Sequence, residues 1–145
     1  MKETLDLSSL KLAIDQLESS LHYYQSEVVQ KDPGLVLQLR AAAIQAFEFT
    51  YELSVKMIKR YIKLVTLSPA DVDNLSYVDL IREACDRGHL LSNLVTWKRY
   101  RQERGTTSHT YDQIKAIEIF EELPAFLKEA NYLLTQLNRK IPIIE

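Results

Sequence analysis

Apolar residues recur along most of the chain in steps of three and four. The first run is Leu10, Ile14, Leu17, Leu21, Tyr24 and Val28, a spacing that keeps one face of a helix apolar. Ser8 or Ser9 is placed to cap its start, and Pro33 with Gly34 marks a turn after it. A longer helix is predicted from about Leu35 to Val65. Leu39, Ala43, Ala46, Thr50, Leu53 and Met57 form one stripe, which Ile44, Phe47, Tyr51, Ile58 and Ile62 widen. A helix apolar over so much of its circumference belongs at the centre of a bundle, or between a core and a partner chain. The small side chains Ala41, Ala42 and Ala43 permit close helix approach.

A loop around Pro69 follows, and Ser76 and Asp79 have the spacing of a capping box before a short helix through Leu80, Ile81 and Ala84. Gly88 is the expected stop of that helix. Ser92 is placed to cap the next, which carries Leu94, Trp97 and Tyr100 and ends near Arg104 and Gly105. Thr110 and Gln113 form a second capping-box pattern. The last helical region carries Ile114, Ile117, Phe120, Leu123, Leu127, Ala130, Leu134 and Leu137, with Pro124 expected to kink or divide it. No strand pattern or internal repeat interrupts this series. The expectation is all-α: an antiparallel up-and-down bundle of about four long helices plus a short one, in a single domain over 1–145. Residues 139–145 read as a loose tail.

Composition narrows the function classes. With 46% hydrophobic and 26% charged residues, the chain can bury an ordinary globular core. A formal net charge of −2 carries no global nucleic-acid footprint, so any such contact must be local. The single cysteine, Cys85, excludes an intramolecular disulfide and is expected in the core. No apolar run reaches a membrane span and no leader segment is recognisable, which makes the cytoplasm the expected compartment. Gly34, Gly88 and Gly105 lie far apart, outside any phosphate-cradling loop. His22, His89 and His109 share no metal-ligand spacing, so neither a metal nor a cofactor is expected. His22 reads as a surface residue, His89 as a helix-end residue and Trp97 as a core anchor.

The densest basic stretch is Lys98, Arg99, Arg101 and Arg104, a local phosphate-attracting patch with Tyr100 offered for stacking. Arg104 and His109 would point about 140° apart on one continuous helix. Gly105 and the threonines that follow it can break the helix and let the two converge. His109 and Tyr111 would share a side if that tripeptide is extended. A guanidinium can hold a phosphate, histidine can move a proton near neutral pH, and RNA brings its own 2′-hydroxyl nucleophile. One chain supplies one histidine here, so an acid–base pair would need a two-fold dimer.

Two stretches together, Leu39–Tyr61 and Arg104–Ala116, resemble the nucleotidyltransferase substrate-binding protein family of the HEPN superfamily. The first contains Ile44-Gln45-Ala46-Phe47-Glu48-Phe49-Thr50-Tyr51-Glu52-Leu53; the second places Arg-x4-His-x-Tyr on Arg104, His109 and Tyr111. The resemblance implies a homodimeric helical bundle that binds a separate minimal nucleotidyltransferase carrying the catalytic residues. It also implies a second role: a metal-independent ribonuclease in which Arg104 binds phosphate and His109 is the acid/base. Within toxin–antitoxin pairs of this kind the partner silences the nuclease by adenylylating the tyrosine, here Tyr111. Gly105 stands where the family usually has asparagine, and Ala41 and Ala46 where charged residues are frequent.

Overall fold

A computed structural model describes residues 5–109 and 111–140. In chain order the helices are α1 (Ser8–Tyr24), α2 (Glu27–Gln30), α3 (Pro33–Val65), α4 (Pro69–Val72), α5 (Tyr77–Asp86), α6 (Leu94–Gly105) and α7 (Gln113–Lys140), with a 3₁₀ turn at Thr107–His109. Among the described residues there is no strand.

The long helices α1, α3, α6 and α7 form the up-and-down bundle. The short connection through α2 returns α3 along α1. Arg99 meets Glu122 while Leu91 and Ser92 meet Glu129, so α6 and α7 run antiparallel. Arg40 bonds Gln113 and Phe47 packs on Phe126, which makes α3 and α7 parallel neighbours. The core between them is aromatic. Phe126 lies edge-on to Phe47 at 4.8 Å and to Tyr100 at 5.0 Å, and Trp97 is fully buried beside them. The buried hydroxyls of Thr50 and Ser54 donate back to the carbonyls of Ala46 and Thr50, each at 2.7 Å, so neither leaves an unmet polar group.

Several local expectations change. Val28 is 74% exposed and Val29 is buried instead, because α1 ends at Tyr24 and α2 restarts the register under a Ser26 cap. Pro33 and Gly34 are not the turn but the first residues of α3. Asp32 caps that helix, accepting from the Gly34 and Leu35 amides, and proline tolerates this position because its missing N–H would be unpaired anyway. Neither Ser8 nor Ser9 caps α1; Asp6 accepts from the Ser8 amide there. Ser76 does cap α5, accepting from the Asp79 amide. Gly88 ends α5 at φ 78°, with paired bonds from Gly88 N to Cys85 O and from His89 N to Ala84 O. Asn93, not Ser92, caps α6.

The start of α7 also differs. Ile114 is 69% exposed and Ile117 is exposed, while Ala116, Ile119 and Phe126 face the core; further along, Leu123, Ala130 and Leu137 are buried as the spacing predicts. Asp112 accepts from the Ile114 and Lys115 amides at the start of this helix, and Thr110 lies outside the described residues. One helix runs through Pro124, which is exposed. Of the expected tail, Arg139 and Lys140 belong to α7, and 141–145 lie outside the described residues. His22 is exposed as expected, Cys85 is half-buried, and His89 is fully buried, edge-on to Tyr61 at 4.6 Å. The backbone turn at Gly88 carries His89 inward, where its ring packs against Tyr61. No helix among the described residues is long and apolar enough to cross a membrane.

Candidate functional site

Arg104 sits in the last turn of α6, and its guanidinium turns back toward α3. Nε donates to Glu52 Oε1 at 3.0 Å, and Nη2 meets the same oxygen and also Glu48 Oε1 at 3.3 Å. Nη1 donates to Thr107 Oγ1 at 3.3 Å. Glu48 and Glu52 lie one turn apart on α3, within the Phe47–Leu53 stretch, so their carboxylates project from the same face. The two sequence stretches that looked separate are therefore one constellation, joined at Arg104.

His109 closes the 3₁₀ turn after α6. Its Nδ1 lies 3.4 Å from the Tyr111 hydroxyl, with the rings 5.9 Å apart and steeply inclined. His109 is the last residue of that turn; the tripeptide expected to be extended includes Thr110, which lies outside the described residues. Tyr111 is 80% exposed. Gly105 is the last residue of α6 and has no positive φ, so it is not a left-handed stop; a Cβ there would meet open space. The backbone would accept an ordinary L side chain at this position.

The basic stretch does not form a bare cationic surface. Arg99 pairs with Glu122 at 3.4 Å and approaches Glu103 at 4.0 Å. The Arg101 guanidinium lies over the Tyr77 ring, 4.5 Å from its centroid. Lys98 is exposed. Tyr100 is buried in the core and is not available for stacking; on this helix the apolar face falls on Trp97 and Tyr100, one turn apart. Burial pushes the Tyr100 hydroxyl up to about 12. Below Arg101, Tyr51 donates to the Tyr77 hydroxyl at 2.8 Å, which donates on to the Trp97 carbonyl at 3.0 Å. Burial raises both phenols above their ordinary value.

Two carboxylates that the sequence pattern does not single out lie near the two ends of α6. Glu129 is fully buried on α7 and accepts from the amides of Leu91 at 2.7 Å and Ser92 at 3.1 Å. A lone glutamate on an apolar face is the only sequence signal for it. Glu103 precedes Arg104, with its side chain largely covered. Burial first, then the nearby Glu122, pushes its carboxyl up to about 7 from an ordinary 4.5, with Arg99 opposing. Folding thus favours the protonated form, so the folded chain binds the proton more tightly than the unfolded one. Stability should fall as pH rises from about 4.5 through 7. Glu103→Gln is expected to be the more stable protein at pH 8 by about 2 kcal/mol, after allowance for partial solvent screening, and to match the parent near pH 4.5. Denaturant midpoints across that range would refute this if the difference stayed constant.

No group of three or more His, Cys, Asp or Glu among the described residues is arranged to hold a metal ion. A groove of about 460 Å³ between α1 and α3 is lined by Leu12, Tyr23, Leu39 and Phe49, on a different face of α3 from Glu48 and Glu52.

The structure is thus an all-helical bundle in which Arg104 of α6 pairs with two carboxylates of α3, and in which His109 and Tyr111 meet each other in the turn that follows α6. The chain belongs to the family described as Nucleotidyltransferase substrate binding protein like, which matches residues 5–139. It is 37% identical over 139 residues to a Haemophilus influenzae protein named Probable ribonuclease HepT, covering 90% of this chain and 94% of that one. Its fold is similar to that of HI0074 from Haemophilus influenzae, described as the fold of a substrate binding domain of a nucleotidyltransferase. The TM-score is 0.87 at 36% identity, over 92% of this chain and 99% of that one. A crystal structure from Thermus thermophilus is also similar, with a TM-score of 0.64 at 28% identity over 88% of this chain and 99% of that one.

Proposed function

We propose that this chain is the binding subunit of a two-component nucleotidyltransferase. It acts as a homodimer and docks a separate minimal nucleotidyltransferase that supplies the catalytic residues. The observation that carries the reading is the presentation of Tyr111: its hydroxyl is exposed and lies against the His109 imidazole. A phenol held there can attack the α-phosphate of a nucleoside triphosphate bound by the partner. The oxygen–phosphorus bond forms, pyrophosphate leaves, and His109 takes the phenolic proton. The transfer chemistry itself is left to the partner: the one Asp-x-Asp here puts Asp71 in α4 and commits Asp73 to Lys59 and Lys63. Co-expression with the candidate nucleotidyltransferase, followed by intact-mass analysis, should give a stable complex. A nucleotidyl mass that Tyr111→Phe abolishes would tie this reading to that of a ribonuclease, which the partner silences at Tyr111; an unmodified complex would favour simple binding. Failure to co-purify would remove the reading.

The relative named as a probable ribonuclease supports a second reading, in which this chain cleaves RNA through Arg104 and His109 without a metal. Here His109 takes the proton of an RNA 2′-hydroxyl while Arg104 offsets charge on the phosphate. A 2′,3′-cyclic phosphate forms, and the 5′-oxygen leaves with a proton supplied by the second protomer. Growth arrest on expression, relieved by His109→Ala, would select this reading; a purified dimer that leaves RNA intact would dismiss it.

A further inference from the structure

The Arg104 guanidinium is already occupied. All three of its nitrogens face protein oxygens: Glu52, Glu48 and Thr107 Oγ1. With one arginine and two glutamates, the cluster carries a formal charge of −1. A phosphate arriving at this guanidinium therefore meets net negative charge and a fork whose donors are engaged. Side-chain exposures of 30% for Arg104, 32% for Glu48 and 53% for Glu52 put the cluster within reach of solvent. Partly exposed ion pairs of this kind contribute little to stability and open readily. The anchoring of α6 comes instead from Trp97 and Tyr100, both in the core.

We propose that Glu48 and Glu52 stand in for phosphate on Arg104 and set its affinity for anions: a nucleic-acid phosphate binds only by displacing their oxygens. The proposal rests on the reading that Arg104 meets phosphate. It makes the two acidic residues of α3 specificity-determining ones. Weak or isolated anions fail to open the cluster, and a polyanion held by further contacts succeeds.

The test uses the full chain and a fluorescently labelled single-stranded RNA oligonucleotide, with binding followed by anisotropy at several salt concentrations. Glu48→Gln with Glu52→Gln keeps the side-chain shape and carbonyl oxygens and removes both charges. That double variant should bind at least about tenfold tighter, with a salt slope steeper by about 0.7, the value for one more phosphate contact on a single strand. Adding Arg104→Ala should erase the gain. Equal or weaker binding by the folded double variant overturns the proposal. If RNA binds no variant, the phosphate reading of Arg104 fails, and sulfate decides the cluster separately. The Arg104 Nε–H resonance should then respond at about tenfold lower sulfate in the double variant than in the parent. An unchanged midpoint sinks the proposal in that case too.

Discussion

Phe126→Ala is expected to destabilise the protein by about 4 kcal/mol, the middle of the range for truncating a buried aromatic side chain. Phe126 is fully buried at the junction of α3, α6 and α7. It contacts Phe47 and Tyr100 edge-on and lies within 6.5 Å of Trp97 and Tyr51. Truncation removes the largest apolar contribution of α7 and leaves a cavity that four rigid rings cannot collapse into. The comparison variant is Ile114→Ala, which should change stability by less than about 0.5 kcal/mol because that side chain faces solvent. Urea midpoints of the two variants test the register of α7 directly. Equal losses would mean that the stripe through Ile114 and Ile117 faces the core after all.

Removing the Glu129 carboxylate should cost about 3 kcal/mol in Glu129→Ala, through two part-buried charge-assisted bonds lost at once. Its oxygens hold the Leu91 and Ser92 amides just before Asn93 caps α6. Without them those two N–H groups face an apolar interior or drag water into it. Glu129→Gln retains one acceptor and should recover roughly half of the loss. Hydrogen exchange would show the mechanism: protection should fall at Leu91 and Ser92 first, while the centre of α3 stays protected. Uniform loss across the chain would assign Glu129 to general packing. The consequence for function follows from α6, which carries Arg104 at its other end. A loosened entry to α6 should therefore weaken the Arg104 pairing with Glu48 and Glu52.

Much of the candidate site was legible beforehand because it depends on residue type and spacing. Arg104, His109 and Tyr111 stand out by chemistry in a stretch between helices. What escaped notice were carboxylates, since a glutamate on a helix usually means solvent. Glu48 and Glu52 stand inside the stretch that carries the family resemblance without a local sign of their partner, and Glu129 is a lone glutamate among apolar residues. Only the packing of α3 against α6, and of α7 against the entry to α6, gives those groups partners.

The same division holds for the fold. Periodicity in steps of three and four was enough for an all-α bundle, since one apolar face per helix can only be buried against another helix. Local chemistry was enough for the Ser76 cap and the Gly88 turn, whose partners lie within a few residues. Register was not decided locally. On α7 two adjacent stripes are both apolar, and the one through Ala116, Ile119 and Phe126 faces inward because Phe47, Trp97 and Tyr100 leave space for Phe126 there. The fate of the basic stretch was likewise a tertiary matter. Charge along a sequence attracts phosphate only if no acid is nearer, and folding brings Glu52, Glu48 and Glu122 to Arg104 and Arg99 before any ligand arrives.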